Sequence, residues 1–357
     1  MLRVVPIFLL LLLTAGCKPQ PQPQPPVELS HTETNSVYYW KTVLNPDSTN
    51  LRFLRDHNVG RIYMRMFDVV EDGYACRPNN ATIPNATIKI NNGAIEVLRD
   101  SLRDMEVVPV VYITLDALRR MNGNEDILAE NIVVRIRNMV QYHELPNVSE
   151  LQLDCDWTPS TEDSFFRLCH SVKSNLGKLG LQWDLSSTIR LHQLSKQVPP
   201  VDRGVLMVYN TGSFNDPDTK NSIIDPADVE PYLKHLGKYK LHLDVAYPTY
   251  SWQLLFHKRK FKGLVSGVDV GDTAKFLRKG ESQYVAKRDI PYNSIIIREG
   301  DVIRTESSEN KDIIRVKKQI DRLLSGKKHS NIIYHLDSAN LSKYKPNEIK
   351  EIFSVAD

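Results

Sequence analysis

The chain has 357 residues, 41% of them hydrophobic and 25% charged, ordinary values for one large globular domain once an atypical amino-terminal stretch is set aside. Its 46 basic and 43 acidic residues leave a formal net charge of +3, so composition offers no electrostatic ground for a nucleic-acid partner. The four cysteines, Cys17, Cys76, Cys155 and Cys169, match no zinc spacing.

The first residues read as a targeting signal. Arg3, the apolar run from Val4 to Leu13 and the small-residue stretch Leu13-Thr14-Ala15-Gly16-Cys17 make a lipoprotein signal over residues 1–16, with Cys17 as the lipidated residue. The run is shorter than the roughly 18 residues needed to span a bilayer. Lys18 to Pro26 places proline at alternate positions, which favours an extended polyproline tether over residues 17–35. A membrane partner through Cys17 follows, in a bacterial envelope and at the outer membrane. No later apolar run is long enough to cross a membrane.

The folded part is expected over residues 36–357. Ser36 to Leu44 is β-branched and aromatic, a first strand, and Thr49 to Val59 a short helix stopped by Gly60. Arg61 to Val70 alternates Ile62, Met64 and Met66 with Arg61, Tyr63 and Arg65, a second strand. Glu71 to Gly93 is turn-rich, with a small hairpin. Ala94 to Met105 is helical, Val107 to Leu115 an apolar strand covered on both sides, and Ile127 to His143 an amphipathic helix.

In the fourth strand Leu151, Leu153 and Cys155 point one way while Gln152, Asp154 and Asp156 point the other. A helix from about Thr161 to Leu179 follows, with Phe165, Phe166, Leu168 and Val172 as its core stripe. Leu181 to Ile189, Arg203 to Thr211 and Lys240 to Tyr247 are the fifth to seventh strands, with a helix at Pro226 to Leu236. The rhythm then breaks over residues 257–309, a β-rich insertion. Lys311 to Leu324 is a helix, Asn331 to Asp337 the eighth strand, and Pro346 to Phe353 a closing helix. Eight strands mostly separated by helices predict an α/β fold of the (β/α)8 TIM-barrel type, with the insertion between strands 7 and 8.

Strand alternation then predicts an inward polar set: Arg65, Asp154, Asp156, Asp184, Asp244, His335 and Asp337. Carboxylates near the C-terminal ends of barrel strands lie where such folds place chemistry. Asp154 and Asp156 are about 6.5 to 7 Å apart along the strand, and like charges that close raise one carboxyl's pKa, as an acid–base pair for glycoside hydrolysis requires. The bland alternative makes one of them a structural partner of Arg65. Trp40, Trp157, Trp183 and Trp252, with Tyr247 and Tyr250, fall near strand ends, where aromatic faces stack on sugar rings or simply pack the core. Tyr247 to Trp252 is the expected sugar platform. His242 with Asp244 and His335 with Asp337 are too few ligands to argue for a metal, and no phosphate loop or cofactor motif is present. Cys155 and Cys169 read as buried small hydrophobes, with a bridge as the alternative.

Two strands carry a resemblance. Leu153-Asp154-Cys155-Asp156-Trp157 and Met207-Val208-Tyr209-Asn210 are similar to the fourth and sixth strands of chitinase-type barrels of glycoside hydrolase family 18, and more broadly the chain resembles bacterial lipoproteins with sugar-hydrolase-like barrels. The resemblance implies that Asp156 orients an acetamido group and that Tyr209 and Asn210 hold the developing intermediate. It departs at Thr158, where the family carries its proton-donating glutamate. The expectation is therefore a monomeric, lipid-anchored envelope protein that takes carbohydrate. As a hydrolase it would use Asp156 with Asp154 or Asp244 and Tyr209. The rival is a non-catalytic binding protein on the same barrel, and a third reading makes the insertion a partner surface.

Overall fold

The computed structural model describes residues 33–75, 81–101 and 104–355. The signal, Cys17, most of the tether and Cys76 lie outside the described residues. Eight parallel strands form the barrel: β1 (Asn35–Tyr39), β2 (Val59–Glu71), β3 (Glu106–Ile113), β4 (Glu150–Asp154), β5 (Asp184–Arg190), β6 (Arg203–Met207), β7 (Leu243–Pro248) and β8 (Asn331–Tyr334). Each pairs with its sequence neighbour, and β1 closes the ring by pairing with both β2 and β8. This is the (β/α)8 architecture that the alternation predicted.

The helices between the strands form where their apolar stripes meet the barrel and where caps satisfy their first amides. Asp47, for example, accepts from Asn50 N at 2.7 Å to start Ser48–Asp56, and Asp225 accepts from Ala227 N at 2.9 Å to start Pro226–Leu233. The helix Glu162–Lys178 buries Phe165, Leu168, Cys169 and Val172 against the outer faces of the strands. Cys155 and Cys169 are both buried free thiols, so no bridge joins them.

Each strand turns its odd or even positions inward, and the barrel interior fills in layers. The floor, at the strands' N-terminal ends, is charged: Arg61, Glu106, Glu150, Asp184, Arg203 and Asp244. The waist is apolar and aromatic, built from Tyr38, Tyr63, Val108, Val110, Val205, Met207, Ala246 and Ile332. One hydrogen-bonded line crosses it, with the Tyr38 hydroxyl donating to Gln152 Oε1 at 2.6 Å and Gln152 Nε2 donating to Ser186 Oγ at 3.2 Å.

Between β7 and β8 the chain builds a five-stranded antiparallel sheet in the order Lys260–Val265, Ser251–His257, Val302–Ser307, Gln283–Ala286, Phe276–Lys279. It begins at Ser251, so Trp252 is part of a strand rather than of a free loop. A small separate core of Leu255, Val265, Phe276, Ala286, Ile297 and Ile303 lies under the hairpin Ile290–Ile297. Among the described residues no helix is long and apolar enough to cross a membrane.

Candidate functional site

The mouth of the barrel, at the C-terminal ends of the strands, brings together β1, β2, β4, β5, β6 and β8. Gln152, Asp154 and Asp156 continue the inward face of β4, and Ser186, Thr188 and Arg190 do the same on β5, in register with it. The result is a cluster centred on a guanidinium. Arg190 Nη2 donates to Asp154 Oδ1 at 2.9 Å, its Nε donates to Asp156 Oδ1, and Thr188 adds a hydroxyl to Asp154 Oδ1 at 2.6 Å. Arg190 also lies 5.9 Å from the centre of the Tyr209 ring.

The two acids differ in setting. The Asp154 side chain is buried, whereas that of Asp156 is 47% exposed at the mouth. Burial pushes the Asp154 carboxyl up from the usual aspartate range, and Arg190 opposes that shift. Tyr112, whose register partner on β4 is Asp154, is pushed up to about 12 by burial and by Asp156 and Asp154. The expected pair of mutually repelling acids is thus a pair bridged by a cation.

Arg65 is not that cation. A register shift in β2 between Arg65 and Phe67 turns Asp68 toward Arg65, which donates from Nε to Asp68 Oδ1 at 2.8 Å and covers the Trp40 ring at 5.2 Å. Beyond Trp40 the rings continue. Tyr334 lies 5.7 Å from Trp40, stacks on Tyr209 at 4.5 Å and meets Tyr250 at 5.9 Å, and Tyr250 meets Trp252 at 5.5 Å. Asn210 takes a left-handed backbone (φ 53°) and accepts from the Tyr250 hydroxyl at 2.8 Å. Arg65, Trp40, Asp154, Asp156, Tyr209 and Asn210 are therefore neighbours of one mouth.

Other sequence candidates sit elsewhere. Asp184 is the first residue of β5 and pairs with Arg203, while Asp244, second in β7, accepts from Ser330 N at 2.7 Å and faces Arg61 and His242. Both belong to the floor, because inward direction alone does not say which end of the barrel a residue occupies. Trp157 is fully buried, 6.2 Å from Phe165 and edge-on to Phe166 at 5.5 Å. It shares parity with Leu153 and Cys155, so it packs outward against the helix and cannot meet a sugar. Tyr247 is buried for the same reason, one residue out of phase with the inward Ala246. Trp252 donates its Nε1 to Glu306 at 2.6 Å on the insertion sheet.

His335 is partly buried, and burial lowers its pKa. Asp337 caps Ser338–Leu341 through Asn340 N at 2.9 Å and pairs with Lys41 at 2.8 Å. Burial resists, yet these partners hold its carboxyl below the usual range. Among the described residues no group of three or more His, Cys, Asp or Glu side chains could hold a metal.

Arg190 and Tyr334 were missed by sequence reasoning. Arg190 falls one residue past the strand read as Leu181 to Ile189, yet it continues the Ser186, Thr188 alternation that marks the inward face of β5.

No family model matches the chain, and no curated protein matches it. Its fold is nevertheless shared with solved chitinase-type barrels. A chitinase from Bacillus thuringiensis superposes with a TM-score of 0.50 at 12% identity, over 86% of this chain and 66% of that one. The spore cortex-lytic enzyme SleL of Bacillus cereus gives 0.52 at 12% identity, over 91% and 75%. Human YKL-39, a pseudo-chitinase with retained chitooligosaccharide binding properties, gives 0.52 at 9% identity, over 90% and 98%. The chain spans just under two thirds of the Bacillus thuringiensis chitinase. At these identities the likeness is one of fold.

Proposed function

We propose that the barrel mouth binds carbohydrate without hydrolysing it. The observation that carries this reading is the Arg190 bridge between Asp154 and Asp156. A general acid must carry a proton and reach the glycosidic oxygen. Asp154 is buried below the mouth, where it accepts from Thr188 and Arg190. Asp156 is accessible, but its carboxylate accepts from the Arg190 guanidinium, which occupies the oxygen a proton donor would present. Thr158 stands where the resembled family places its donor, and a hydroxyl cannot replace a carboxylic acid at neutral pH.

What remains suits recognition. Trp40, Tyr209 and Tyr334 present partly exposed aromatic surface, and Asp156 and Asn210 can bond hydroxyl and acetamido groups. The retained chitooligosaccharide binding of YKL-39 on the same fold supports the idea that such a mouth can bind without turnover. We extend the proposal to the amino terminus. Lipidation at Cys17 and the proline-rich segment would hold residues 36–357 away from the outer membrane as a tethered sugar receptor.

The test uses the chain without residues 1–26, incubated with aryl glycosides and with chito-oligosaccharides beside Asp156→Asn and Trp40→Ala. Saturable binding with no product, weakened about tenfold or more in Trp40→Ala, is expected. Turnover that disappears in Asp156→Asn would instead establish a hydrolase.

A further inference from the structure

The hairpin of Ile290–Tyr292 and Ile295–Ile297 forms a two-stranded sheet of its own within the insertion, turning at Asn293, whose backbone is left-handed (φ 49°). Its inner side packs on the insertion core through Ile290, Tyr292 and Ile297. The Tyr292 hydroxyl pins it there, accepting from Ser266 N at 2.9 Å and donating to Ser266 O. The outer side is bare. Ile296 is 55% exposed opposite its register partner Pro291, which is also exposed, and Ile295 is 43% exposed at the turn. Among the described residues these two isoleucines are the only large exposed hydrophobic side chains adjacent in sequence. Apolar residues exposed singly are ordinary, whereas a pair fixed at a hairpin tip marks a contact surface.

Positive charge accompanies the tip. Residues 257–300 hold ten Lys and Arg against five Asp and Glu, a net +5, whereas the whole chain is +3 and the remainder therefore −2. Of the ten, only Arg259 and Lys275 enter ion pairs among the described residues, with Asp218 and Asp272. Lys287 and Arg288 precede the first hairpin strand and Arg298 follows the second, all three exposed. Lys287 donates to a neutral acceptor, Thr273 O at 2.7 Å. The acids beside them are Asp289, whose Oδ1 accepts from Glu299 N at 2.8 Å, and Glu299 itself. The hairpin thus keeps a small excess of cations, which the rest of the insertion enlarges.

We propose that this hairpin is a membrane contact, in which Ile295, Ile296 and Pro291 enter the headgroup boundary of an anionic bilayer while Lys287, Arg288 and Arg298 meet lipid phosphates. A bilayer offers an anionic layer first and hydrocarbon beneath it, the order in which exposed basic side chains and a short apolar tip meet them. The lipoprotein reading of Cys17 names the same partner. A tether over residues 17–35 would reach up to about 60 Å at the polyproline rise, enough for the domain to turn this tip to the bilayer that holds its lipid. The proposal is independent of what the mouth binds.

The chain without residues 1–26, which has no lipid to hold it, is mixed with vesicles of phosphatidylcholine alone and of phosphatidylcholine with phosphatidylglycerol, and the bound fraction is read by flotation. Partition is expected to be at least about tenfold stronger on the anionic vesicles at low salt and to weaken above about 0.3 M salt. Arg288→Glu/Arg298→Glu should remove the preference for anionic lipid. Ile295→Thr/Ile296→Thr, which leaves the net charge unchanged, should lower partition at least about fivefold. Both pairs are exposed, and the circular dichroism of each variant should match the parent. Equal partition on the two vesicles, no binding to either, or anionic binding that either double variant leaves intact overturns the membrane contact.

Discussion

Arg190 reaches Asp154 and Asp156 together because it closes β5 two residues beyond Thr188, on the inward face and level with the end of β4. Replacing it with methionine leaves Asp154 buried beside Thr188 without its cation. We expect Arg190→Met to lose about 3 kcal/mol in urea unfolding, and Arg190→Met/Asp154→Asn to recover at least about 1 kcal/mol of that loss. Additive losses would show that the guanidinium does not hold the buried acid. At this scale the sequence was legible in direction and less so in depth. Alternation on β4 placed Asp154 and Asp156 inside, and the same parity, followed one step further, places Trp157 outside with Leu153 and Cys155. Asp184 and Asp244 were correctly inward but at the floor, since a strand's pattern repeats along its length and only its ends tell mouth from floor. Arg190 was hidden by a strand boundary drawn one residue short.

The insertion sheet acts on the mouth through the segment that follows β6. Arg304 is wholly buried, donates to the carbonyls of Asp216 at 2.5 Å and Phe214 at 3.3 Å, and stacks over Phe256 at 5.0 Å. Gln283 Nε2 donates to Pro217 O at 3.0 Å and Asn221 Nδ2 to Ser307 O at 2.9 Å. This segment carries Tyr209 and Asn210, so the sheet fixes one side of the mouth. Arg304→Ala should lower stability by about 3 kcal/mol, because it strands Glu306, and should expose residues 212–220 to limited proteolysis. Arg259→Ala breaks the exposed pair with Asp218 and is expected to leave stability and protease resistance unchanged. Equal protease resistance of Arg304→Ala and the parent chain would remove this role. The β-rich character of the insertion was readable from its short Val- and Ile-rich runs around turns. Its pairing order was not, because antiparallel partners such as Ser251–His257 and Val302–Ser307 lie far apart in sequence and their register depends on contacts made in space.

Across the whole molecule the barrel has a charged floor, and it sets how stability responds to pH. Glu150 is fully buried there, 3.7 Å from Arg203, and burial pushes its carboxyl up to about 8, with Arg61 opposing. An unfolded glutamate titrates near 4.5. Below that both states hold the proton. Between the two values the folded chain holds it and the unfolded chain has released it, so stability falls as pH rises and levels off above about 8. We expect Glu150→Gln to remove this slope and to exceed the parent chain by up to about 5 kcal/mol at pH 9 relative to the difference at pH 4. Parallel stability curves for the two proteins would contradict it. The eight-strand architecture itself was legible from the spacing of apolar runs and helices, since each β/α unit buries its own stripe and repeats the signal.

The waist of Tyr38, Tyr63 and the aliphatic residues around them has a consequence for how the molecule can change. It stands between two charged layers, with the Tyr38–Gln152–Ser186 line reaching Glu150 as a polar link, and no ion pair recorded among the described residues joins Asp156 at the mouth to Glu150 on the floor. Energetic effects at the two ends should then be independent: Glu150→Gln and Asp156→Asn are expected to sum in the double variant to within about 0.5 kcal/mol. A barrel partitioned in this way can trade one mouth chemistry for another while its capacity to fold is maintained from the opposite end.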